Sequence, residues 1–297
     1  MMRGTALRLA CIAALAVLAA SQNAWSAQRH PAQGIVIQVA QDRRSMVVSC
    51  DEIPGYMAAM EMEFAVRGLK VPAEVRPGTV VTFTLVDDNH IPYAEGIHAG
   101  STADFGSEQV DAGALTALQG ALSPAAPADL VQPGQLVPDF VLTDQTGLAV
   151  HLADLRGKVV VLTFGYSRCP FPDYCYRLSN NLSVLQKRFA ARAGRDLVLL
   201  TIAIDPEHDQ GKVLSEYADM FHAQPADWHF LTGDLAVVKH VSAMFGLNFW
   251  RTEGLLTHSL HTAVLDRGGK LVANIEGNQF TAQQLGDLVE TVMDRPH

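Results

Sequence analysis

Cysteine is scarce in this chain: four among 297 residues. That excludes a disulfide-stapled scaffold, which needs far more cysteine per residue. Basic residues are the minority, with 22 Lys and Arg against 31 Asp and Glu and a net charge of -9. A nucleic-acid partner, which wants a basic face, is not expected. Beyond the first 27 residues no apolar run is long enough to span a membrane, which takes about 20 residues. No internal repeat occurs. Charged residues amount to only 18%, but 48% of the chain is apolar, so intrinsic disorder is excluded as well. The length allows about two domains.

Arg3 and Arg8 precede an apolar run from Leu9 to Ala20, followed by Ala24-Trp25-Ser26-Ala27. The pattern is that of a secretory signal peptide over 1–27, with an uncleaved inner-membrane anchor as the alternative. It implies a periplasmic location and removes Cys11. Three cysteines then remain: Cys50, Cys169 and Cys175. An odd number in an oxidising compartment points to one pair plus a thiol occupied by something else, such as a metal.

The first half reads as short strands: 34–39, 45–49, 60–66 and 79–86, with turns at Asp42-Arg43-Arg44 and Arg76-Pro77-Gly78. This predicts a small all-β, OB-like barrel over 32–90. From 91 to 132 Gly, Ser, Ala and Pro accumulate, and the stretch reads as a flexible linker with a short helix near 110–122. From 133 to 295 the pattern becomes α/β. Val159 to Phe164 is a continuous apolar strand, as expected when both sheet faces are covered. Helices are expected near 174–191, 213–221, 235–245 and 281–293, and a hairpin around Asp266-Arg267-Gly268-Gly269. A mixed sheet flanked by helices follows.

Cys169-Pro170-Phe171-Pro172-Asp173-Tyr174-Cys175 lies between the buried strand and the next helix. A strand-to-helix turn is where α/β folds bind ligands, and a helix N-terminus favours a thiolate. Asp173 reads as the N-cap and Cys175 as a first-turn thiol of lowered pKa. A structural disulfide is the plain alternative, but so small a loop gains little from closure.

These residues resemble the SCO/SenC family. The resemblance rests on Pro138-Asp139-Phe140, Gly157-Lys158, Phe164-Gly165-Tyr166, the cysteine loop, Ile204-Asp205-Pro206-Glu207-His208-Asp209, Leu231-Thr232-Gly233 and His258-Ser259, in that order. It implies a thioredoxin-like domain that binds copper through Cys169, Cys175 and His258, as Cu(I) or, oxidised, as Cu(II). It also implies a role in maturing the copper centre of cytochrome c oxidase. The expected partner is the oxidase's copper-bearing subunit or another copper chaperone, and no small-molecule cofactor is implied. Two thiolates and an imidazole suit the soft monovalent ion. The chain has five residues between its cysteines where the family usually has three. No proline occurs between Pro225 and Pro296, so Thr257-His258 stands where thioredoxin-type reductases carry a proline beside their cysteines. If one strand runs through both, His258 and His261 face opposite ways and only one can reach the sulfurs.

The segment Cys50 to Phe64 resembles the CusF type of copper-binding barrel. The resemblance implies a second soft-metal site at Cys50, Met60 and Met62, with Tyr56 and Met57 as secondary candidates. The plain alternative is a half-buried strand in which Met60, Met62, Phe64 and Val66 pack and Glu61 and Glu63 face water. Three functions stay open. One is a metallochaperone that turns nothing over, its linker raising the concentration of one domain near the other. Another is a thiol–disulfide oxidoreductase in which Cys169 attacks and Cys175 resolves. The last is copper buffering.

Overall fold

A computed structural model of the chain describes residues 27–67, 70–88, 92–100, 130–252 and 255–295. The signal sequence and the helix near 110–122 fall outside these, as does most of the linker. Among the described residues no helix is long and apolar enough to cross a membrane.

The N-terminal part is a closed five-stranded barrel. Its strands are β1 (Gln28–Val39), β2 (Ser45–Cys50), β3 (Met60–Val66), β4 (Val80–Asp87) and β5 (Tyr93–Ala99), in the order β1-β2-β3-β5-β4. Alternation of side chains puts Val36, Met46, Val48, Cys50, Phe64, Val81 and Leu85 into its core. Strand β5 lies in the stretch read from sequence as linker. Its Gly96 and His98 dilute the apolar pattern, and pairing with β4 supplies what the pattern lacks.

The second part is built on a seven-stranded mixed sheet, ordered β14-β13-β8-β9-β10-β6-β7. The strands are β6 (Val141–Asp144), β7 (Ala149–His151), β8 (Val159–Gly165), β9 (Leu197–Ala203), β10 (Trp228–Thr232), β13 (His261–Leu265) and β14 (Leu271–Glu276). Every residue of β8 and β9 is buried. Val159 and Val161 face one layer, with α1 (Arg177–Arg188), α2 (Gly211–Met220) and α4 (Ala282–Met293). Val160, Leu162 and Phe164 face the other, with α3 (Leu235–Met244). A separate two-stranded ribbon, β11 (Phe249–Thr252) and β12 (Leu255–His258), stands outside the sheet.

The two parts are docked. Ile35 and Ile37 of the barrel belong to the same apolar cluster as Leu285, Leu288 and Val289 of α4. Gly78, at φ 86°, turns so close to β14 that a Cβ there would lie 2.5 Å from that of Ala273. The seam also has a polar centre. Ser49 Oγ donates to Asp287 Oδ2 at 2.7 Å, and Arg188 Nη2 reaches Asp287 Oδ1 at 2.8 Å. Gln284 Nε2 donates to Ser49 O and to Asp51 Oδ1. The barrel and the sheet domain thus meet in a packed seam with both apolar and polar contacts. Asp287→Ala leaves the buried Ser49 hydroxyl without its acceptor, while Arg188 keeps Glu290, so it is expected to cost about 1–3 kcal/mol. Urea denaturation followed by circular dichroism measures the loss.

Candidate metal and thiol site

Strand β8, inside the sheet, ends at Gly165 and delivers Cys169 beyond its C-terminal end; one turn of π-helix, Pro172–Tyr176, then carries Cys175 into α1. Pro172 occupies the first helical positions, where its missing N–H costs nothing, and Phe171 is the capping residue. Asp173 is therefore inside the turn rather than before it. Both cysteines are free and buried.

His258 closes β12, opposite Phe249 of β11. Its Nδ1 donates to the Ser259 carbonyl at 2.7 Å, which leaves the lone pair on Nε2. That Nε2 lies 3.7 Å from Cys175 Sγ. Burial lowers the imidazole's pKa, so it is the neutral, ligating form. Tyr166 stands edge-on to the ring, 5.8 Å between centroids at 76°. One strand does not run through both histidines: β12 ends at His258 and β13 begins at His261. His261 turns instead to Asn274 Oδ1 at 3.2 Å and Ser259 Oγ at 3.1 Å. His258 is thus selected by a ribbon separate from the sheet, not by alternation.

The two thiols differ. Cys169 is lowered to about 6, chiefly because Cys175 donates a hydrogen bond to it. Backbone groups of Phe171 and Cys175 and the Tyr166 hydroxyl assist, against the burial penalty. Cys175 is pushed up, by that same bond, by burial and by the neighbouring negative sulfur. The expectation of a lowered Cys175 is reversed. Its position in the helical turn counts for less than its complete burial beside a thiolate. Tyr166, also raised by burial and by both sulfurs, is a site residue that the sequence analysis did not single out. Its presence in the Phe164-Gly165-Tyr166 run was the available signal.

Among the described residues no group of three or more His, Cys, Asp and Glu side chains is assembled to hold a metal. Cys175 and His258 are brought together, Cys169 accepts a hydrogen bond from Cys175, and its sulfur lies 3.7 Å from the Phe171 carbonyl. A thiolate and an imidazole bonded at about 2.3 and 2.0 Å to one ion, about 120° apart, stand about 3.7 Å from each other. The assembled pair has that separation.

In the barrel, Cys50 pairs directly across from Met60, and Val48 from Met62, so the three candidate side chains share one face. Cys50 is buried, Met62 packs partly against the barrel core, and Met60 is 47% exposed. Burial and the adjacent Asp51 raise Cys50 to about 12, so it is a thiol at neutral pH. Tyr56 donates to Asp87 and stacks on His30, 4.0 Å between centroids.

A thioredoxin-like α/β sheet with two cysteines on its strand-to-helix turn and a histidine ribbon closing over them defines a class of thiol and soft-metal proteins. Within it, this chain belongs to the SCO1/SenC family, whose sequence model matches residues 128–294. The SCO2-like protein RT0576 of Rickettsia typhi is 29% identical over 142 residues, 45% of this chain and 66% of that protein. The human mitochondrial SCO2 homolog is 28% identical over 159 residues, 52% and 59% of the respective chains. The chain thus spans 59 to 66% of the length of these two relatives. A crystal structure from Aquifex aeolicus VF5 shares the fold at 18% identity, covering 56% of this chain and 97% of its own, with a TM-score of 0.50. Copper-bound yeast Sco1 is 28% identical, covering 55% and 91%, with a TM-score of 0.47.

Proposed function

We propose that this chain is a periplasmic metallochaperone that holds Cu(I) between Cys169, Cys175 and His258 and passes it on for assembly of the copper centre of cytochrome c oxidase. The observation that carries the reading is the approach of His258 Nε2 to Cys175 Sγ at 3.7 Å, with Nδ1 tied to a carbonyl. A neutral imidazole and two thiols that can lose their protons are a soft, three-coordinate donor set. Cys169 already favours the thiolate; copper has only to displace one proton, from Cys175. Membership of the family supports delivery to an oxidase subunit or exchange with another copper chaperone. Anaerobic Cu(I) loading, desalting and X-ray absorption test the reading. About two sulfurs and one nitrogen around each bound copper are expected, and a chain that retains no copper ends it.

The difference between the thiols favours one second reading. A lowered Cys169 beside a protonated Cys175 is also the arrangement of an attacking and a resolving thiol. Disulfide exchange that continues in His258→Ala, together with a lack of copper binding, would favour that role.

The barrel, OB-like in this reading, supplies a second soft-ion site at Cys50, Met60 and Met62. The shared face of β2 and β3 supports it. In Cys50→Ser, Cu(I) bound per chain is expected to fall from about two to about one; two thioethers without a thiolate hold the ion weakly. Equilibrium dialysis with copper counted by atomic absorption checks this, and a count of about one in both parent and variant assigns Met60 and Met62 to packing alone.

A further inference from the structure

The cysteine loop and the histidine ribbon come from distant parts of the chain. Among the described residues no ladder of backbone hydrogen bonds joins them, and β11 and β12 pair with each other as a separate two-stranded sheet. Phe249 and Leu256 bury their side chains beneath the ribbon, but a cavity of about 360 Å³, lined in part by Ile204, Pro206, Phe249 and Leu256, remains under it. The Leu256 backbone N–H, which donates to the Tyr166 hydroxyl, gives the ribbon one polar tie beyond its apolar packing.

One buried carboxylate spans the gap. Asp205, just beyond β9, is 1% exposed. Its Oδ2 accepts from Arg168 Nη2 at 2.5 Å and Nε at 3.2 Å, and its Oδ1 accepts from Arg251 Nη2 at 2.6 Å. Arg168 immediately precedes Cys169. Arg251 lies on β11 directly opposite Leu256, two residues before His258. Arg251 also reaches Glu207 at 3.1 Å. The guanidinium groups are half-exposed, but the carboxylate they share is not, so these are charge-assisted bonds to a poorly hydrated acceptor. Each arginine is fixed at one end by the chain beside a candidate ligand and at the other by the same carboxylate.

We infer that Arg168, Asp205 and Arg251 form an ion clamp that sets the distance between the cysteine pair and His258. Asp205 and Arg251 are positioning residues: they touch no ligand atom and act through the loop and the ribbon. The part of this that concerns copper rests on the proposed three-ligand site; the clamp between loop and ribbon does not.

Arg251→Met is the variant of choice, because it removes a half-exposed guanidinium and leaves Asp205 paired with Arg168. In the full chain, competition against a chromophoric Cu(I) chelator is expected to show affinity reduced ~10-fold, as for loss of an outer partner of a metal ligand. In a His258→Ala background the same substitution should cost nothing further, and Arg251→Lys should recover part of the loss. Hydrogen exchange of the β11 and β12 amides should quicken without a matching fall in thermal midpoint. Equal copper losses with and without His258, or unchanged exchange in the ribbon, overturns the clamp. If the parent chain binds no Cu(I), the copper reading fails instead, and ribbon exchange alone decides the clamp.

Discussion

Cys175→Ser, made in a Cys50→Ser background to silence the barrel, is expected to abolish stoichiometric Cu(I) binding. Cys175 is the middle member of the site. It donates the hydrogen bond that keeps Cys169 a thiolate, and its sulfur is the one that faces His258 Nε2 at 3.7 Å. A serine hydroxyl there is a hard donor that stays protonated at neutral pH, and a soft ion gains nothing from it. The effect should exceed the about 10–100-fold that loss of an outer partner costs. His258→Ala should be milder, since two sulfurs remain and bind Cu(I) in a two-coordinate form with weakened affinity. Competition titration with a chromophoric chelator, with copper counted after desalting, measures both. Wild-type affinity in the Cys175→Ser chain would remove the site from Cys169, Cys175 and His258 altogether. The order of the two losses is itself informative. If His258→Ala were the more damaging, the ion would be centred on the imidazole rather than on the thiol pair.

The parts of the fold legible in the sequence are those with strong period or composition. Val159 to Phe164 is apolar at every position but Thr163, and β8 is buried on both faces. Ser45 to Cys50 and Met60 to Val66 alternate, and they pair as β2 and β3. What escaped was structure made by contact. Strand β5 exists because β4 offers an edge, not because Tyr93–Ala99 reads as a strand. The break between His258 and His261 needs no proline or glycine; Ser259 is simply where the ribbon leaves the sheet. The docking of the barrel depends on Ser49 meeting Asp287, a pairing across 238 positions that no local pattern announces. In the site, residue types were legible and their electrostatics were not. Spacing placed Cys175 at a helix start, and from that a lowered pKa followed. Complete burial beside a second sulfur reverses it, and burial is a property of the packed chain.

That reversal has a pH signature. Only a thiolate alkylates, and the rate of each cysteine rises with pH through its own pKa. In the reduced chain Cys169, held at about 6, should react with iodoacetamide at a rate that climbs through about pH 6 and is level by about pH 8. An ordinary thiol, near 9, would still be climbing there. Cys175 and Cys50 are both raised, so neither should contribute below pH 9. The sign for folding follows from the same shift. A thiol whose folded pKa is depressed stabilises the fold above its unfolded value, and that contribution fades as pH falls from about 9 through about 6. The raised thiols act oppositely, removing stability as pH rises beyond 9. Cys175→Ser tests the cause as well as the value: a hydroxyl is a different donor, and the Cys169 profile should move. With Cys175→Ala the hydrogen bond is gone, and the midpoint is expected to rise toward the ordinary thiol range. Mass spectrometry of the labelled peptides assigns each rate to its cysteine. A midpoint near 9 for Cys169 in the parent chain, or fast labelling of Cys175 at neutral pH, would mean that the two sulfurs do not share a proton as the packed turn requires.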